Sequence, residues 1–177
     1  MPTSGFYVVA LPELDRKHSA WIDSVRKDHD PLAYAIPAHF TLVFAIDGLS
    51  QADLTAHLSS VVRRVPRIAF RCSYVMLGRD HQDPVFYAFL VPDQGFGAIS
   101  RLRDTLHTAQ LADHLRPEIP FVPHITLGRD ESASAAKDLC TRLNDESPQI
   151  DGWITALTLI EAANDEIKIH QAFALKH

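Results

Sequence analysis

Ile36-Pro37-Ala38-His39-Phe40-Thr41-Leu42 and Val122-Pro123-His124-Ile125-Thr126-Leu127-Gly128-Arg129 carry the same tetrapeptide pattern, His-x-Thr-Leu, 85 residues apart. With 10 histidines in 177 residues, chance supplies only about 0.05 such tetrapeptides. Each stretch also reads as a β-strand, and the surrounding chain organises itself around the two. Apolar or alternating runs at 5–11, 39–44, 68–77, 85–91, 122–128, 153–161 and 166–175 predict strands, bounded by Pro, Gly, Asn or Asp. Helical patterns fall between them at about 15–28, 50–65, 95–111 and 132–144. Ser50 with Asp53 reads as a capping box, Ser132 or Ser134 as the cap of the last helix, and Asn164-Asp165 as a tight hairpin turn.

In order, the elements run strand, helix, strand, helix, strand, then the same five again with one further strand. Corresponding first strands are offset by 80 positions, second helices by 82 and third strands by 85. This is the pattern of one duplicated unit, with repeats at about 5–77 and 85–175 in a single domain spanning 1–177. Two similar lobes in one short chain are expected to pack about a pseudo-two-fold axis, with equivalent residues facing each other across a shared groove.

Strand geometry fixes what the tetrapeptide does. Residues i and i+2 share a face, so His39 points with Thr41 and His124 with Thr126. Phe40, Leu42 and Phe44, and Ile125 and Leu127, are expected to bury the opposite face under the helices. Two imidazoles facing each other suit in-line displacement at phosphorus, one ring activating the attacking oxygen and the other protonating the leaving oxygen. Histidine, with an ordinary pKa of about 6.5, can serve either way near neutral pH. Two threonine hydroxyls can donate to the non-bridging oxygens as charge builds there. Such chemistry requires no metal and no cofactor, and no HExxH or comparable ligand cluster is present. Arg129, five residues after His124, belongs on the opposite face of a regular strand but reaches the phosphate if the strand end bulges.

Composition narrows the partners. The chain is 46% hydrophobic and 22% charged with 7 glycines, a globular balance that excludes collagen, coiled coil and disordered classes. A formal charge of −5 argues against an extended nucleic-acid surface while allowing a small or end-on anionic substrate. The apolar run at Phe6–Leu11 is too short for a signal peptide or membrane span, so a cytoplasmic monomer with no membrane partner is expected. Cys72 and Cys140 show no metal-ligand or disulfide spacing and read as small buried residues. Gly95-Phe96-Gly97 reads as a helix-starting turn rather than a dinucleotide fingerprint. The remaining histidines, His81 in a loop among them, read as solvated. Tyr7, Tyr34, Phe86 and Tyr87 are candidates for base stacking, though mostly core or strand residues.

Paired His-x-Thr-Leu motifs in a duplicated α+β chain of this size resemble the 2H phosphoesterase superfamily, most closely its 2′-5′ RNA ligase-like branch. The second motif, Pro123 to Arg129, is the more typical. After the first, family members often continue Phe-Leu-Gly where this chain has Phe44-Ala45-Ile46-Asp47-Gly48. The resemblance implies an α+β, bilobal fold, two mainly antiparallel sheets facing a central cleft with helices on the outer faces. It also implies a metal-independent phosphodiesterase opening 2′,3′-cyclic phosphates of RNA ends or small nucleotides to 2′-phosphates, with reversible 2′-5′ RNA joining. His39, Thr41, His124 and Thr126 would be catalytic and Arg129 substrate-binding. The rival reading is a catalytically silent nucleotide- or RNA-binding module using the same cleft.

Overall fold

The computed structural model describes residues 4–80, 83–163 and 166–176, so the expected turn at Asn164-Asp165 and the loop residue His81 lie outside the described residues. In chain order the elements are β1 (Gly5–Ala10), β2 (Glu13–Leu14), α1 (Arg16–His29), β3 (Phe40–Ile46), α2 (Gln51–Val62), β4 (Ile68–Arg79), β5 (Phe86–Gln94) and α3 (Phe96–Leu106). A 3-10 turn (Ala109–His114), β6 (Ile125–Asp130), α4 (Ala133–Asp145), β7 (Ile150–Ile154), β8 (Ala156–Ala163) and β9 (Glu166–Ala174) follow.

Local chemistry sets these boundaries. The Asp15 carboxylate accepts from the His18 N–H to start α1, and Arg26, Lys27 and His29 sit in its last turn, where cations favour the helix dipole. The Ser50–Asp53 capping box starts α2, and Ser132 accepts from the Ala135 N–H to start α4. Gly95, at φ +86°, opens α3 where any Cβ would stand 2.6 Å from the Ala69 carbonyl oxygen. That helix stops at Leu106, short of the expected 111, because His107 leaves helical geometry and its Nδ1–H donates to the Arg103 carbonyl.

The nine strands form one sheet in the order β2-β7-β4-β5-β6-β3-β1-β8-β9. Every ladder between named strands is antiparallel. The two expected sheets are therefore the halves of one curled sheet, joined between β3 and β6 by the single pair Phe40↔Ile125. The halves of the sheet are not the halves of the chain: β4 lies beside β5, and β8 beside β1. The run expected as one strand at 153–161 is split at Thr155, since β7 pairs with β4 at one end of the sheet and β8 with β1 near the other.

All four helices share one core with alternate strand residues. Ile22, Leu54, Leu58, Ile99, Leu102, Leu139 and Leu143 pack with Phe40, Leu42, Phe70, Leu90, Ile125 and Leu127, and Phe40 meets Phe70 edge-on at 5.1 Å. Cys72 and Cys140 are free and buried in this core, and burial pushes both thiols up. A separate small cluster of Tyr7, Val9, Ile36, Ala45, Ile160 and Ala162 covers the other face of the β3-β1-β8 half.

Phe44 departs from expectation. Leu42 and Val43 are both buried, while Phe44 is 39% exposed. The β1–β3 register explains it: Val9 pairs with Thr41 and Val8 with Val43, leaving Leu42 as the extra residue of a β-bulge that reverses the alternation after it. Among the histidines expected to be solvated, His57 is buried and its Nε2–H donates to the Leu106 carbonyl, whereas His170 pairs with Glu161 at 2.9 Å.

Candidate active site

Each tetrapeptide places its histidine immediately before a strand and its threonine second within it. Continuing the Phe40↔Ile125 register one residue either way sets His39 opposite Thr126 and Thr41 opposite His124. Direct neighbours in such a ladder have Cβ atoms about 4.5–5.5 Å apart and diagonal ones lie about 7–8 Å apart. The two imidazoles thus occupy opposite corners of a square and the two hydroxyls the other corners. All four residues are half-buried, on the face turned away from the helical core.

The rings are held alike. His39 Nδ1 lies 2.9 Å from the Pro37 carbonyl oxygen and His124 Nδ1 lies 2.6 Å from that of Val122, two residues back in each case. A carbonyl only accepts, so Nδ1–H donates in both rings and the neutral tautomer leaves Nε2 with its lone pair free. Burial drives both pKa values below the ordinary 6.5. In His39 the Pro37 carbonyl opposes the shift, Arg26 adds to it and Asp30 opposes. His124 is pushed down to about 4, first by desolvation, with the Val122 carbonyl opposing and the charge of His39 adding.

A bulge also decides Arg129. In the β5–β6 ladder, Phe89 pairs with Thr126 and Ala88 with Gly128, leaving Leu127 extra. Leu127 thus occupies the same place in the second motif as Leu42 in the first. Leu127 and Gly128 both turn inward, and Arg129 returns to the face of His124 and Thr126. There it pairs with Tyr87 in register and its charge acts on the phenol, whose O–H donates to Asp80 at 3.1 Å.

Of the aromatics proposed from sequence, Tyr7 belongs to the small cluster behind the first motif, Tyr34 is exposed in the 30–38 loop, and Tyr87 alone faces the second motif. Sequence reasoning passed over Phe89, which stacks on His124 with ring centroids 3.6 Å apart. The signal was available, because Phe89 lies two residues beyond Tyr87 on a strand and so shares its face. The buried Arg26–Asp30 pair was also missed. Arg26 donates to Asp30 at 2.9 Å and to the Ile36 carbonyl at 3.0 Å, fixing the segment that leads into His39. Among the described residues, no group of three or more His, Cys, Asp or Glu side chains is arranged to hold a metal ion, and no helix is long and apolar enough to cross a membrane.

The 2′-5′ RNA ligase superfamily matches residues 14–166. The chain belongs to this superfamily. Membership makes it an enzyme of the 2H phosphoesterase kind. A protein of Oceanobacillus iheyensis with a provisional phosphoesterase name is 23% identical over 156 residues, 86% of this chain and 88% of its own. Escherichia coli LigT, solved with 3′-AMP, matches with a TM-score of 0.61 at 21% identity, over 98% of this chain and 99% of that one. A Thermus thermophilus protein matches at 0.64 and 16% identity, over 96% and 97% of the two chains. These structures share the fold, a curled antiparallel sheet backed by helices. LigT has also been solved with ATP and with NADP+.

Proposed function

We propose that this superfamily member hydrolyses 2′,3′-cyclic phosphates of RNA ends or small nucleotides, with His39, Thr41, His124 and Thr126 as its catalytic residues and Arg129 as a phosphate-binding residue. The observation that carries the reading is the matched presentation of two Nε2 atoms, each fixed by an Nδ1–H bond to the carbonyl two residues back. In this reading the proton of the singly protonated pair rests on His39, whose charge then helps to hold His124 neutral. The pair titrates as a unit, so the two proton losses belong to the pair and not to either ring. His124 then takes the proton of an attacking water as its oxygen bonds to phosphorus, while His39 gives its proton to O3′ as the P–O3′ bond breaks. A 2′-phosphate results. The proton ends on His124 and returns to His39 through solvent. Thr41 and Thr126 donate to the non-bridging oxygens, and Arg129 offsets their charge. With a 5′-hydroxyl in place of water, the same step joins two RNA ends through a 2′-5′ bond. The reading includes a cytoplasmic monomer acting on the end of its substrate.

The test is hydrolysis of 2′,3′-cyclic nucleotides and cyclic-phosphate-ended oligoribonucleotides in excess EDTA, by wild type, His39→Ala and His124→Ala. Turnover should persist in EDTA and fall by roughly 10²–10⁴ in either variant. Full turnover in either variant overturns the assignment, and binding without turnover by wild type supports the silent-module reading instead.

A further inference from the structure

Phe89 does more than line the cleft. Its ring lies against one face of the His124 imidazole, 3.6 Å between centroids and 22° from parallel. Tyr87 stacks on its other side at 5.4 Å and 12°. The ring leans across β4 into a notch that exists because residue 78 is glycine: a Cβ there would stand 2.1 Å from the Phe89 ring. The fold does not demand this arrangement. In the other half, the strand position that pairs with Thr41 is Val9, where Phe89 pairs with Thr126. The partner of Tyr7 is Ile160, where the partner of Tyr87 is Gly78. One half thus carries a small residue and a stacked ring beside its histidine, and the other carries aliphatic side chains.

We propose that Phe89, seated in the Gly78 notch, is a positioning residue for His124, clamping the imidazole so that Nδ1–H stays on the Val122 carbonyl and Nε2 stays aimed at the reacting phosphate. The proposal rests on the reading of His124 as the base. Without the clamp, the ring can turn about its χ angles and lose its 2.6 Å bond to Val122. The clamp also keeps water from that face, consistent with burial as the main cause of the lowered His124 pKa. The polar groups around His124 are His39 just before β3 and Thr41 in it, Arg129 on β6, and Tyr87 with Asp80 along β5 and the end of β4. Arg26 and Asp30 stand behind His39. A substitution at Phe89 removes none of these groups.

The variants are Phe89→Leu, which keeps apolar bulk without a flat ring, Gly78→Ala, which keeps Phe89 but fills its notch, and Phe89→Tyr, which keeps the ring. Two readouts apply to each: the His124 imidazole followed by nitrogen NMR across pH, and kcat and KM on a 2′,3′-cyclic nucleotide. Phe89→Leu and Gly78→Ala should each raise the His124 titration toward 6.5 and weaken its Nδ1–H signature. Each should also lower kcat about 10- to 100-fold with KM within about twofold, while Phe89→Tyr recovers the wild-type titration. An unchanged His124 titration and tautomer in both disrupting variants overturns the clamp. So does a rise in KM at constant kcat, which would assign Phe89 to the substrate. If wild type hydrolyses no cyclic nucleotide, the proposed function fails while the NMR readout still decides the clamp.

Discussion

Across the junction of β3 and β6, Thr41 has Val9 beside it and Thr126 has Phe89. That pair of neighbours summarises a wider difference. Behind the first motif the sheet is sealed: Leu32 and Ile36 of the 30–38 loop pack onto Tyr7, Val9 and Ile160, with Arg26 and Asp30 buried beneath them at 3% and 7% exposure. Behind the second motif the same face is open. Phe89 and Tyr87 stand on it, and farther out the Arg71–Asp151 ion pair lies in solvent. The two motifs are matched at the histidine, the threonine and the bulged leucine, and diverge one shell out. The first motif is backed by a packed loop and a buried ion pair, the second by stacked aromatic rings.

The largest effect that can break this contrast concerns its two ion pairs. Removing one member of a buried pair leaves an uncompensated charge, so Arg26→Ala should cost about 3–5 kcal/mol in urea unfolding. It should also release the Ile36 carbonyl and with it the approach to His39. Arg71→Ala removes an equally well-formed bidentate pair, Nε to Asp151 at 2.7 Å and the terminal nitrogen at 3.0 Å. Because both partners are solvated and screened, that variant should unfold indistinguishably from wild type. Equal effects would show that the 30–38 loop is not the fixed wall of the cleft.

A second, smaller effect ties both histidines to pH. A histidine whose folded pKa lies below its unfolded value of about 6.5 binds fewer protons folded than unfolded within that window. Stability is therefore fully present above pH 6.5 and lost as pH falls toward about 4, the folded value for His124. Asp151, held below the ordinary carboxylate range by Arg71, acts only at lower pH. Unfolding free energy measured between pH 4 and 7 should rise with pH. His124→Asn and His39→Asn should each flatten that slope, because burial lowers both pKa values. An unchanged slope in either variant would show that burial does not hold that ring neutral.

The tetrapeptides, their shared face and the element order were legible in the chain because they depend on local alternation and on residue type. What escaped was set by long-range pairing. Thr155 looks like the interior of a strand, yet the chain there leaves β7 for β8 because the two partners lie in opposite halves of the sheet. Phe89 reads as an ordinary strand aromatic until Gly78, eleven positions back, makes the notch it occupies. Arg26 and Asp30 look like a surface i, i+4 pair, and only the loop folding over them buries the two.

Phe44 gives the smallest effect and the sharpest check on the matched part of the comparison. Strict alternation from Phe40 and Leu42 would put its ring in the core, where truncation of a phenylalanine costs about 3–5 kcal/mol. The bulge at Leu42 instead gives the inward place to Val43 and leaves Phe44 facing out. Phe44→Ser should therefore change stability by no more than about 0.5 kcal/mol, whereas Val43→Ala, at a fully buried site, should cost well over that. A large loss from Phe44→Ser would mean that β3 runs without a bulge. The equivalence of Leu42 with Leu127, which returns Arg129 to the cleft in the second motif, would then be lost, leaving Arg129 as a feature of one half with no counterpart rule behind it.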